Sequence, residues 1–273
     1  MTKKNLGCLL ALLSFLSHPA VKAWDDYCCD KPFFLKFSVG GSFSRKADIC
    51  VDQRFWDPSP QGYNAKLGNS EVYSVMFGVI HNCYLNYAVE VSRRPSFKYC
   101  KFQSPQEAQG QLAFAGKKTR FFNLENTSVL ANIYLTGGEC WSWCLWDRVE
   151  LQPFIGAGLG VAYNKMTNFH SVTAASIVQN GVTNNEAASI MTPYRHRALA
   201  AQFMLGVELM HCERYALNIG YRFFHGGTIR SNNYVFGLAN FESEVITSGA
   251  ITAPCWQGKL KANELFFTLK VIF

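Results

Sequence analysis

From Phe33 onward the chain alternates apolar and polar residues in short segments, the period-two pattern of a strand whose two faces meet different surroundings. Eight such segments can be marked: Phe33–Arg45, Val72–Ile80, Tyr84–Arg93, Ser128–Thr136, Leu151–Tyr163, Leu199–Leu209, Tyr215–Phe223 and Glu264–Phe273. In the first, Leu35, Phe37, Val39 and Phe43 share one face, and Lys36, Ser38, Gly40 and Ser42 the other. In the fifth, Leu151, Ile155, Ala157, Leu159, Val161 and Tyr163 oppose a face of Gln152, Phe154, Gly156, Gly158 and Gly160 that has little side-chain bulk. The last sets Leu265, Phe267, Leu269, Val271 and Phe273 against Glu264, Thr268 and Lys270.

Periodicity alone does not say which face is inside, but three features do. The polar face carries charges of both signs (Lys36, Glu90, Glu208, Arg222, Glu264 and Lys270) among glycines, which suits a narrow lumen filled by a polar network. The apolar face is continuous and ends in aromatics at both extremities, as membrane interfaces favour. The connections also alternate between short turns and long loops, the asymmetry of a transmembrane barrel. Because an open sheet edge is too costly in lipid, the eight strands must close on themselves, giving an all-β, antiparallel, up-and-down transmembrane barrel. An even count returns the C-terminus to the short-turn, periplasmic side.

Composition narrows the picture further. At 273 residues with 49% hydrophobic and 16% charged content, the chain is too apolar for global disorder. Lys3 and Lys4 precede an apolar run from Leu6 to Leu16, and Val21-Lys22-Ala23 offers a cleavage site, so residues 1–23 read as a secretory signal peptide and 24–273 as one barrel domain. Cys8 stands at the start of the apolar run, with nothing ahead of it to insert, which argues against lipidation. Loss of Lys3, Lys4 and Lys22 leaves 23 basic against 19 acidic residues, a net charge of +4 too mild to imply nucleic acid.

The terminal run Leu265-Phe266-Phe267-Thr268-Leu269-Lys270-Val271-Ile272-Phe273 resembles the assembly signal of bacterial outer-membrane barrels, with Phe273 as its final aromatic. Pro153 to Tyr163 and Gly220-Tyr221-Arg222-Phe223 resemble strands of the opacity-type, outer-membrane-protein-A-like eight-stranded barrels. The resemblance covers the strands alone and lacks a peptidoglycan-binding domain. It implies the bacterial outer membrane as the location. Outer-membrane lipid, lipopolysaccharide and the barrel assembly machinery follow as partners, with no cofactor. Members share a barrel and differ in their loops, so it says little about activity.

The lumen charges Lys36, Glu90, Glu208, Arg222 and Lys270 have a structural reading, a paired network, and a functional one, a small pore or ion channel. An interior of this size is about filled by side chains, which favours structure, while the glycine face of the fifth segment leaves room for a void. Phe169-His170-Ser171 is similar to the His and Ser of lipid A deacylases, but adjacent residues on a strand point to opposite faces, and no catalytic or metal-binding set is expected. The chain is read as a non-enzyme, with a deacylase-like hydrolase as the remote alternative.

Nine cysteines remain after cleavage, which suits an oxidising compartment. The topology puts Cys28, Cys29, Cys83, Cys140, Cys144 and Cys212 on the periplasmic side and Cys50, Cys100 and Cys255 in external loops, all as candidate disulfide cysteines. Intramolecular staples and links to other envelope proteins both fit. Trp141, Trp143 and Trp146 are expected at the periplasmic interface. The external loops, approximately 47–71, 99–118, 167–195 and 227–262, are where a surface-interaction, adhesin-like function with a host surface ligand would lie. Lys98, Lys101, Lys117, Lys118 and Arg120 are placed to meet lipopolysaccharide phosphates.

Overall fold

The computed structural model describes residues 32–49, 66–82, 84–103, 117–137, 141–146, 149–179, 182–212, 214–238, 249–252 and 255–273. All of them belong to the unit Lys31–Phe273. The signal peptide and Cys8, Cys28, Cys29, Cys50, Cys83 and Cys140 lie outside the described residues.

Eight strands close a barrel: β1 (Phe33–Ser44), β2 (Asn69–Ile80), β3 (Leu85–Gln103), β4 (Lys117–Thr136), β6 (Val149–Gln179), β8 (Tyr194–His211), β9 (Tyr215–Arg230) and β12 (Gln257–Ile272). Each pairs antiparallel with its neighbours, and the first and last join through a register running from Phe34 opposite Ile272 to Ser44 opposite Ala262. Phe33 and Phe273 complete the seam by exchanging backbone hydrogen bonds of 3.2 and 2.9 Å. No sheet edge is left within the barrel wall, as lipid requires.

The two faces follow the sequence alternation. Val39, Ile133, Leu217 and Phe267 are each about half exposed on the outer wall, and Leu159 reaches 71%, while Glu90, Glu208 and Glu264 are fully buried inside. Such a continuous apolar belt around a charged interior is stable only when hydrocarbon covers the belt, so the barrel spans a membrane. Phe33, Phe273, Tyr84 and Tyr215 mark the short-turn end of the belt, and Phe43, Tyr73 and Tyr163 mark the other.

Among the described residues, the segment expected as the third external loop, 167–195, is almost wholly strand, and strand also enters the other three. β3, β4 and β6 run 19, 20 and 31 residues, and the last is about three times the roughly 10 residues that a tilted strand needs to cross a bilayer. β7 (Val182–Met191) continues β8 beyond Thr192-Pro193 and pairs with the outer part of β6, with β10 (Tyr234–Leu238) beside it and β11 (Ile251–Thr252) beside that. Together they build an outer lobe on the barrel. A short β5 (Trp143–Trp146) pairs with β6 at the opposite end.

The change from membrane barrel to lobe occurs at three bulges. An extra residue enters β3 at Pro95–Ser96, β6 at Asn168 and β9 at Gly226–Gly227, where the ladder registers shift. Asn168 has φ 52° and Gly227 φ 71°. A Cβ on Gly227 would overlap the backbone of Leu199, so this position requires glycine both for its conformation and for the close approach of β8. Each bulge reverses which alternate residues face inward, and this is why the sequence alternation fades where the strands in fact continue.

Candidate functional site

The polar interior is organised in two tiers. Lys36 on β1 stands directly opposite Lys270 on β12, a like-charge pair that would repel in isolation. Glu208 of β8 lies between them, accepting a hydrogen bond from Lys270 Nζ at 2.7 Å and facing Lys36 Nζ at 3.6 Å. The Lys36 ammonium also sits 4.8 Å from the centre of the Tyr134 ring and 5.3 Å from that of Phe34, which supplies a cation–π contact where water is excluded.

The second tier lies nearer the lobe. Arg94 holds Glu264 with two parallel bonds, Nε to Oε1 at 2.5 Å and Nη2 to Oε2 at 3.1 Å, and its guanidinium stacks 3.4 Å over Phe224. Ser42 donates to the same carboxylate at 2.8 Å. Arg222 reaches Glu90 Oε1 at 2.9 Å and Glu264 Oε2 at 3.4 Å, contacts of charge that are out of line for hydrogen bonds. Glu90 gains its directional bonds from Gln202 at 2.6 Å and Asn132 at 3.1 Å. Arg94 Nη1 also donates to Asn126, and Asn126 to Asn164, whose Nδ2 reaches the carbonyls of Gly226 and Thr228 in the β9 bulge at 2.8 and 2.9 Å. The polar network thus extends to the point where β8 and β9 stop pairing, at Ala201 opposite His225.

Apolar layers accompany both tiers. Phe34, Met76, Tyr134, Phe154, Met204, Phe266 and Ile272 pack around the lower one. Above the upper one, Phe97, Tyr99, Phe122, Leu124, Phe169, Phe224 and Leu260 pack with Trp256, whose ring contacts Phe169 edge-on at 5.2 Å between centres. The hollow between Lys36, Tyr134, Phe154 and Arg222 has a volume of about 10 Å³, room for about one water. Along the glycine face of β6, where a void was possible, two of the glycines are covered by side chains. Tyr134 lies over Gly156, and Asn132 with Gln202 over Gly158, because bulky inward residues on the neighbouring strands take the space that the glycines leave.

The structure therefore brings Lys36, Lys270 and Glu208 into one cluster and Arg222 and Glu90 into another, which Glu264 joins. Sequence reasoning missed Arg94, which lies one residue beyond the marked third segment. Its place on the inward parity of Glu90 and Ser92 was the available signal. Trp256 was assigned to an external loop and instead centres the lobe core. Arg120, expected among the lipopolysaccharide contacts, is corrected: it is 3% exposed and points into the lobe, with its guanidinium 5.9 Å from the Trp256 ring, whereas Lys98 is on the outer surface.

Among the described residues, Cys100, Cys144, Cys212 and Cys255 are free thiols. Cys144 and Cys212 lie at the short-turn end, and Cys100 and Cys255 on the lobe. Cys212 Sγ is 3.3 Å from His211 Nε2. His170 stacks on Phe121 at 5.0 Å on the outer side while Ser171 is buried, so the two are on opposite faces and cannot act together. Trp141 and Trp143 are well exposed beside the end of the apolar belt, and Trp141 overhangs a cleft of about 360 Å³ lined by Tyr84, Leu135, Pro153 and Ile155. Outside the membrane-spanning segments, a hydrogen bond from Lys261 at 2.7 Å holds the exposed Asp48 carboxyl below its ordinary value, and burial pushes the Tyr99 hydroxyl up.

No family model and no curated protein matches the chain. Among solved structures, the outer membrane protein OprG from Pseudomonas aeruginosa is 14% identical with a TM-score of 0.43, covering 88% of this chain and 96% of that one. Neisserial surface protein A is 12% identical with a TM-score of 0.35, covering 88% and 97%. Ail, the attachment invasion locus protein of Yersinia pestis, solved with the heparin analogue sucrose octasulfate, is 10% identical with a TM-score of 0.31, covering 86% and 99%.

Proposed function

We propose that this chain is a bacterial outer-membrane barrel with a structural envelope and surface-interaction, adhesin-like role, carried out by the outer lobe and not through the lumen. The observation that carries this reading is the closed interior: two charged tiers packed between apolar layers, with a hollow of about 10 Å³. A conducting path would need a continuous wet channel, and hydrated ions do not fit a space of one water. The long β3, β4 and β6 extensions and the Trp256 core hold the lobe on a rigid base, as a binding surface requires. A host surface ligand is the partner expected there, and Phe273 is the terminal handle for the assembly machinery.

The non-enzymatic reading is supported by the opposed directions of His170 and Ser171. Cys144 and Cys212, exposed at the periplasmic end, suit disulfide links to other envelope proteins. The test is twofold. In planar bilayers the refolded chain gives no stable single-channel conductance, and a steady conductance would reinstate the pore. Displayed on a non-adherent bacterium, it raises attachment to host-cell surfaces, and replacing 172–190 by a short turn abolishes the gain while the unboiled band keeps its fast gel mobility. Attachment that survives the replacement, or never appears, sinks the adhesin role.

A further inference from the structure

Two rows of outward side chains lie directly above the apolar belt across four adjacent strands. The last belt row is Val91, Val129, Val161 and Leu199, one residue on each of β3, β4, β6 and β8, matched by the ladder registers. Two residues further out, about 7 Å along the strands, the row becomes Arg93, Thr127, Tyr163 and Arg197. One step beyond, Glu125, Lys165 and Arg195 face one another across β4, β6 and β8. Arg93, Arg195 and Arg197 are exposed. These two rows thus hold four cations and one carboxylate, and that carboxylate is engaged by Lys165, at 3.2 Å, with Arg93 at 3.9 Å. Arg197 packs 5.3 Å over the Tyr163 ring, which fixes its position at this height.

We propose that this patch binds the phosphates of an anionic, phosphorylated saccharide lipid headgroup in the outer leaflet. The inference rests on the outer-membrane reading above and deepens it by naming a site. Position along each strand carries the first part of the argument: each charge follows the last outward apolar residue of its own strand, where hydrocarbon gives way to headgroups, and there a zwitterionic lipid offers no net attraction and an anionic one does. Geometry carries the second. Arg93 and Arg197 lie three strand spacings apart, about 14 Å, so they engage two separate phosphates of one large headgroup or of two neighbouring ones. Guanidinium forks favour phosphate oxygens through paired charge-assisted hydrogen bonds, and three of the four cations are arginine. The far wall carries Arg45 and Lys261 beyond the belt residue Phe43, but there Asp48 holds Lys261 at 2.7 Å. These residues differ from the loop lysines that the sequence pointed to, since the relevant level is set by the belt and not by loop position.

The test compares two charge-matched variants of the full refolded chain in detergent micelles. Arg93→Ala/Arg195→Ala/Arg197→Ala removes three patch cations, and Lys46→Ala/Lys66→Ala/Lys259→Ala removes three exposed cations elsewhere on the lobe. Binding of a bisphosphorylated disaccharide lipid is followed by native mass spectrometry, beside its dephosphorylated form and a large excess of inorganic phosphate. The patch variant loses about tenfold or more in affinity, the control variant about twofold or less, and the dephosphorylated lipid binds the wild type as weakly as the intact lipid binds the patch variant. Equal losses in both variants, or none, overturn the site. Full competition by inorganic phosphate overturns the lipid as its source. Fast migration of the unboiled band certifies the barrel in every sample. If the wild type itself never shows that band, it is the barrel reading that fails and not this one.

Discussion

Arg94 Nε donates to Glu264 Oε1 at 2.5 Å across the lumen, joining two fully buried side chains 170 positions apart in sequence. The bond connects β3 to β12 past the two strands between them, so it ties the barrel across its section and not along its wall. Its worth lies in the cost of breaking it. A charge left alone in this interior has no solvent to turn to.

Glu264→Gln leaves Arg94 buried without its counter-charge and weakens the hold on Arg222. Loss of one partner from a buried pair costs about 3–5 kcal/mol, whereas replacing the pair by apolar residues is often neutral. Urea unfolding in micelles, read from the fast-migrating unboiled band, should show a loss of that size for Glu264→Gln. Arg94→Met/Glu264→Met should recover most of it. A double variant as weak as the single one would mean that the pair itself, and not its imbalance, holds the barrel.

Glu208 poses a related problem with the opposite geometry, because Lys36 and Lys270 face each other on paired strands and share its carboxylate. Glu208→Gln brings two ammonium groups together without a counter-ion and should destabilise by about 3 kcal/mol or more. Adding Lys36→Met removes the repulsion and should restore stability toward the wild type. Equal stability of Glu208→Gln and wild type in the same urea assay would remove the lower tier from any account of barrel stability.

How far the sequence discloses this structure depends on the bulges. Between Phe33 and Phe273 the eight segments and their inward faces are legible, because in a membrane barrel alternation separates lipid from lumen and nothing competes with that demand. Beyond Pro95–Ser96, Asn168 and Gly226–Gly227 the parity flips, and Phe97, Tyr99 and Phe169 point inward where a reader counting from the belt would place outward residues. Trp256 gives no signal of its own. Its partners come from β3, β4 and β6, and only the closed fold brings them together.

The Trp256 cluster is separate from the apolar cluster of the lower barrel, so the lobe can open while the membrane barrel stays closed. Trp256→Ala removes the largest ring from a fully buried site and should cost about 3–5 kcal/mol locally. Limited proteolysis of the intact chain should then cut the lobe well before the membrane barrel loses its heat-dependent gel shift. Simultaneous loss of both would show that lobe and barrel unfold together.

Asp48 carries a pH-dependent contact outside the membrane segments. Lys261 donates to its carboxylate, chiefly through that hydrogen bond lowering its titration below the ordinary 3.8. A carboxyl held down in the folded state adds stability that is fully present above the unfolded value and is lost as pH falls through the folded one. Because Asp48 is exposed, the effect is modest and screened by salt. Wild type should therefore exceed Asp48→Asn in unfolding midpoint at pH 6 and low ionic strength. The two should converge as pH falls through the folded-state titration of Asp48, below which the carboxyl is protonated in both folded and unfolded chains. A difference that persists undiminished in acid would assign the stabilisation to packing at Asp48 and not to its charge.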